Sequence, residues 1–192
     1  TKYINQRIPD IPINVKYSFK NGSHLQAGAV LRNMYYKDEV EDKDRIVTGW
    51  GASLSGIWQF AENTSLCFQG VYGKGISNYI QDISGSGLDL VPSATAEGKL
   101  KAFNAWGGYI GFSHNWSKVL TSNIMYSYAR ALDRYGMPAT SYKYAQYAAA
   151  NLFWDFSEYG SCAIEYVFGR RNDFNKDYGN ASRINTMIQY RF

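Results

Sequence analysis

Seven residues fall where an alternating pattern would set polar groups along one side of a sheet: Arg32, Gln69, Lys143, Asn151, Glu165, Arg171 and Arg183. Charged and amide groups lining a wet passage do one kind of chemistry: they filter solutes by size and sign. Inward Arg and Lys favour anions, because a narrow low-dielectric passage focuses their field. The bland reading of the same residues is solvated wall or loop. Arg191 shares the pattern but stands at one mouth. Glu165 either faces solute or pairs with an Arg on a neighbouring strand.

Other chemistry finds little footing. His24 and His114 lie beside expected turns, with no Cys, His or carboxylate cluster at metal-ligand spacing. No Ser sits in a GxSxG elbow, so no nucleophile is expected. No cofactor and no catalytic residue are expected, and an enzyme is not. Cys67 groups with a polar face and Cys162 with an apolar one, so the two should not bridge. Gly73-Lys74-Gly75 lies in an alternating stretch without the helix that follows a phosphate loop, so close packing or strand curvature is the better reading. Asn63-Thr64-Ser65 matches a glycosylation sequon and carries no argument. A net charge of +4 is too small to suggest nucleic acid.

The elements that would position these residues are strands. The 192 residues include 17 Tyr, 10 Phe, 5 Trp and 18 Gly, with 45% hydrophobic residues. That excludes a disordered chain and suits one domain spanning 1–192. Tyr and Trp pair an apolar body with a polar tip and suit a water–oil boundary. No apolar run approaches the ~20 residues of a spanning helix, and Thr1 to Asp10 carry no signal-peptide core. Alternation is the main signal. Leu25, Ala27, Ala29 and Leu31 share a face. So do Trp50, Ala52, Leu54, Trp58 and Phe60, against Ser53, Ser55 and Gln59. Leu66, Phe68 and Tyr72 oppose Ser65, Cys67 and Gln69. Ile184, Ile188, Tyr190 and Phe192 oppose Arg183, Asn185 and Gln189. The pattern predicts about nine strands: 11–19, 24–35, 44–60, 64–80, 99–114, 119–131, 142–156, 160–171 and 181–192.

Connections alternate between tight (20–23, 61–63, 115–118, 157–159) and long (36–43, 81–98, 133–141, 172–180). An up-and-down meander puts each kind at one end, as outer-membrane barrels do with short periplasmic turns and long outer loops. The last strand then ends in the periplasm at Phe192. Tyr190 and Phe192 fit a C-terminal signal to barrel-assembly machinery. Trp58, Phe60, Trp154, Tyr190 and Phe192 would form a lipid girdle at the inner rim, and Tyr35, Tyr36 and Tyr79 one at the outer rim. The connection around Ser84-Gly85-Ser86-Gly87 either folds inward as a constriction or is mobile. Backbone in lipid needs partners, so the sheet must close. Nine is odd, and single-chain barrels are normally even. The expectation is therefore the C-terminal strands of a longer barrel, with a self-contained eight- or ten-stranded barrel as the competing account.

Short motifs carry a resemblance. Ile8-Pro9-Asp10-Ile11-Pro12, His24-Leu25-Gln26 with Leu31-Arg32, Gly49-Trp50-Gly51 and Tyr72-Gly73-Lys74-Gly75-Ile76 come first. Asn151-Leu152-Phe153-Trp154, then Ala163 to Arg171, then Ser182 to Phe192 follow in order. Together they resemble DcaP-like porins over nearly the whole chain. The resemblance implies an all-β antiparallel transmembrane barrel of about sixteen strands per subunit. It also implies a homotrimer in the outer membrane of a Gram-negative bacterium, embedded in lipid and passing small hydrophilic, often anionic, solutes such as dicarboxylates. Two rivals stand beside this reading. A soluble all-β ligand-binding protein would bury its aromatic face. A non-channel barrel, an adhesin or scaffold, would fill its interior.

Overall fold

The computed structural model describes residues 7–38 and 40–192. The reading of Thr1 to Asp10 as lacking a leader core falls mostly outside them. In chain order the strands are β1 (Ile11–Ser18), β2 (His24–Asp38), β3 (Lys43–Ala61), β4 (Thr64–Lys74), β5 (Leu90–Pro92), β6 (Leu100–Ala102), β7 (Asn104–Asn115), β8 (Leu120–Ala131), β9 (Tyr142–Asp155), β10 (Gly160–Asp173) and β11 (Tyr178–Tyr190). Nine of them form one antiparallel meander in the order β1-β2-β3-β4-β7-β8-β9-β10-β11, while β5 and β6 pair with each other. The sheet is not closed: β1 and β11 are its two edges. Most of the nine exceed the roughly 9–11 residues that cross a bilayer.

Register carries the alternation from strand to strand. Arg32 opposes Gly49, Gly51 opposes Gly73, Gly73 opposes Ala105, Ala105 opposes Ala131, and Ala145 opposes Arg171. Directly paired residues point to one side, so these define an inner face of small and polar residues. The other side carries Leu54, Trp58, Ile110, Ile124, Trp154, Ile164, Tyr166, Ile184 and Tyr190, all exposed. An apolar face this broad and bare is what lipid, not water, accommodates. The Trp58, Trp154 and Tyr190 side chains stand on it as expected, while Phe60, at a bulge, and Phe192, past the end of β11, are exposed. Tyr36 and Tyr79 do not. Tyr36 is buried on the inner side, where its hydroxyl accepts the Leu100 amide at 3.0 Å. Tyr79 belongs to a connection that folds inward.

The alternation of tight and long connections is only partly realised. Four residues separate β2 from β3 and β10 from β11, as few as separate β7 from β8. The strands run further than their polar sequence suggests. Lys37 pairs across from Asp44, and Asp38 from Lys43; opposite charges stabilise such cross-strand positions. Two connections at that end are long: 75–103 and 132–141. β4 also stops earlier than expected, at Lys74, because Gly75 takes φ +69° and turns the chain inward. Left-handed backbone of this kind costs glycine little.

Candidate functional site: the inner face and its folded connection

The 75–103 connection is packed, not loose. Two 3-10 turns, Ser77–Tyr79 and Gln81–Ile83, present Ile76, Ile80 and Ile83 to the sheet. These three join Val91, Phe103, Ala105, Ala129, Ala131, Met137 and Tyr142 in one buried cluster. The wall is cut to receive them. A Cβ on Gly51 would stand 3.0 Å from Ile76, one on Gly107 3.2 Å from Ile80, and one on Gly73 would strike the Trp50 carbonyl. The 132–141 connection closes over it: Met137 joins the cluster, and the Gly136 amide donates to the Pro92 carbonyl at 3.0 Å. The connection as a whole folds inward, while Ser84 to Gly87 at its tip are exposed, with open space at Gly85 and Gly87.

Arg32 holds this arrangement. Its Nε lies 2.8 Å from Asp10 and its Nη1 2.9 Å from Asp89, and it also donates to the Gly75 carbonyl. Its guanidinium lies 5.4 Å from the centre of the Tyr79 ring. The Tyr79 hydroxyl donates to Asp10 at 2.7 Å, and Ser77 and Asn78 donate to Asp89 at 2.7 and 2.9 Å. Burial, then the bond to Asp10, raises the Tyr79 phenol above its ordinary value. Arg32 is only 5% exposed. It is a buried, doubly paired anchor rather than a cation offered to passing solute. Tyr142 makes a second anchor, its hydroxyl 2.6 Å from Asp82 and 2.9 Å from the Ala129 carbonyl.

The other expected residues separate clearly. Lys143 has no cross-strand partner: Tyr142 opposes Asp173 and Tyr144 opposes Asn172, so Lys143 is the extra residue of a bulge. Its parity therefore does not place it on the inner face. Arg171 does lie on that face, half-exposed, with its Nε 3.0 Å from Asp173. Arg183 lies there too, exposed and without an ion pair among the described residues. Asn151 and Glu165 are brought together. Asn123 donates to Asn151 at 2.8 Å, Asn151 to Glu165 at 3.3 Å, and Asn185 to Glu165 at 2.9 Å. This ladder crosses β8 to β11, and amides rather than an Arg satisfy Glu165. Gln69 stands on the inner face between Ser55 and Tyr109. Asp10 and Asp89 were not picked out as site residues by sequence reasoning, and Tyr79 was expected in a rim girdle; none of the three lies in a strand of the nine-stranded sheet, so alternation does not mark them.

The remaining motifs have plain roles. His114 Nδ1 lies 2.8 Å from the Thr64 hydroxyl, and its ring meets Trp116 edge-on. Cys67 and Cys162 are free and fall on opposite faces. Among the described residues no group of three His, Cys, Asp or Glu could hold a metal.

A long-stranded antiparallel meander, apolar outside and polar inside, with a connection folded onto the polar side, has the make-up of an outer-membrane β-protein's wall. The model of the DcaP outer membrane protein family matches residues 5–192, and the chain belongs to that family. Its place is the outer membrane. The crystal structure of the outer membrane channel DcaP of Acinetobacter baumannii superposes with a TM-score of 0.81 at 19% identity, over 100% of this chain and 54% of that one. The chain thus spans about half the length of that channel. Fainter likenesses are to the NanC porin (TM-score 0.46, 12% identity, 95% of this chain and 93% of that one) and the CymD monoaromatic hydrocarbon channel (0.48, 11%, 93% and 49%). No curated protein matches.

Proposed function

We propose that the chain forms part of the wall of a porin that lets small hydrophilic solutes diffuse passively across the outer membrane. The observation that carries this reading is the division of one sheet into a bare apolar face and a polar face partly covered by an inward connection. Lipid suits the first, and a narrowed aqueous lumen suits the second. The finer reading is a sixteen-stranded subunit in a homotrimer, inserted by the barrel-assembly machinery through Tyr190 and Phe192, in a Gram-negative envelope. A lean towards anions such as dicarboxylates rests on Arg171 and Arg183, two of the inner-face cations that stay exposed. Passage through such a channel needs no catalysis.

The test is planar-bilayer conductance of the full-length protein with a reversal potential in asymmetric KCl. Steps in multiples of three with an anion-leaning reversal are expected. A detergent-soluble protein that never conducts would leave a barrel without a pore.

A further inference from the structure

Beneath the folded connection the inner face holds a hollow of about 580 Å³, in the size range of small-molecule sites. Gln69, Tyr109, Ser127 and Tyr147 line it from the wall, and Gln81 and Asp82 from the connection above. The four wall residues form one row. Gln69 opposes Tyr109, Tyr109 opposes Ser127, and Ser127 opposes Tyr147. Gly107 lets Ile80 of the connection approach the wall beside them. None of the four side chains has a hydrogen-bond partner among the described residues. The ladder from Asn123 to Asn185, by contrast, has its amides engaged with one another and with Glu165.

The lining contains no Lys or Arg. An anion would meet only Asp82, a like charge. A cation would meet a carboxylate already engaged by Tyr142. What the row does offer is two aromatic rings, an amide and a hydroxyl, alternating and uncommitted. Rings contribute area and faces at little entropic cost, while amide and hydroxyl groups fix orientation.

We propose that this hollow is a binding subsite for uncharged, hydroxylated ring solutes of mono- to disaccharide size. The rings of Tyr109 and Tyr147 cover a sugar face, and Gln69 and Ser127 bond its hydroxyls. The anion lean of Arg171 and Arg183 acts through a long-range field and makes no demand on this row. Its use in permeation rests on the channel reading; the binding does not.

The full-length protein in detergent is titrated with maltose, and with benzoate as a charged ring of comparable flatness. Maltose added to one side of a bilayer carrying the same protein is then read as interruptions of the KCl current. Saturable maltose binding is expected, with Tyr109→Ala or Tyr147→Ala weakening it about three- to tenfold. Gln69→Leu, checked for folding by its heat-modified gel mobility, should weaken it as well. Absent maltose binding, maltose binding indifferent to all three substitutions, or benzoate binding as tightly through the same residues overturns the subsite. A channel that conducts without responding to maltose loses the subsite and keeps the pore. Maltose binding by a protein that does not conduct keeps the subsite and loses the pore.

Discussion

The inner face behaves differently at its two ends. Towards the long connections it is buried, apolar and cross-braced by Arg32. Towards the tight turns it is open, and polar side chains such as those from Asn123 to Asn185 bond along the wall. The same strands supply both. Small residues at 51, 73, 105, 107, 129 and 131 admit the connection, and bonded amides two or three pairs lower stabilise a wall that water still reaches. A charge on the wet side of a barrel strand is therefore not by itself a filter. Its use depends on what folds over it. Arg32 and Arg183 share a face and a residue type, yet one is a brace and the other faces solvent.

The largest effect should come from removing the brace. Arg32→Met removes the cation that Asp10 and Asp89 share, and losing one partner of a buried pair costs about 3–5 kcal/mol. Melting in detergent should fall, and protease should cut within 75–103; unchanged cleavage would break the distinction between the two ends. Next comes the open wall. Glu165→Leu takes the acceptor from the amides of Asn151 and Asn185 and should cost about 0.5–1.5 kcal/mol by urea unfolding in detergent, with Glu165→Gln losing less. A smaller effect belongs to selectivity. Arg183→Gln should move the reversal potential towards cations while the connection stays protease-resistant, and a shift no larger than that of Lys143→Gln would count against the inner-face assignment.

The smallest effect is on pH. A phenol raised above its ordinary value of 10.0 contributes fully below that value. Its contribution is lost as pH rises through the raised one. Protease resistance of the connection should thus be level from pH 7 to about 10 and decline above it, a decline that Tyr79→Phe abolishes.

The strand faces were legible because alternation is enforced by lipid on one side and water on the other. Leu54, Trp58, Ile164 and Ile188 lie where their parity puts them. The outer ends were not legible, for specific reasons. Lys37, Asp38, Lys43 and Asp44 look like a loop, yet oppose one another in register at the end of a hairpin, with ion pairs from Lys37 to Asp42 and from Asp38 to Arg45. A single extra residue at Lys143 reverses parity locally, and no composition announces it. The brace joins Asp10, Arg32, Tyr79 and Asp89 across up to 79 positions of sequence, while alternation reports only neighbours. Glycines at 51, 73 and 107 did carry a signal: three on one face near one end is a sign that backbone or another segment comes close.

Those glycines have a consequence for anyone re-engineering the space above the inner face. The wall is a mould, and the connection is its casting. Width can then be adjusted without altering the connection at all. Gly107→Ala or Ala129→Val would lift the isoleucines by a fraction of their own radius and tilt everything beyond them, whereas trimming Ile80 would let the segment settle deeper.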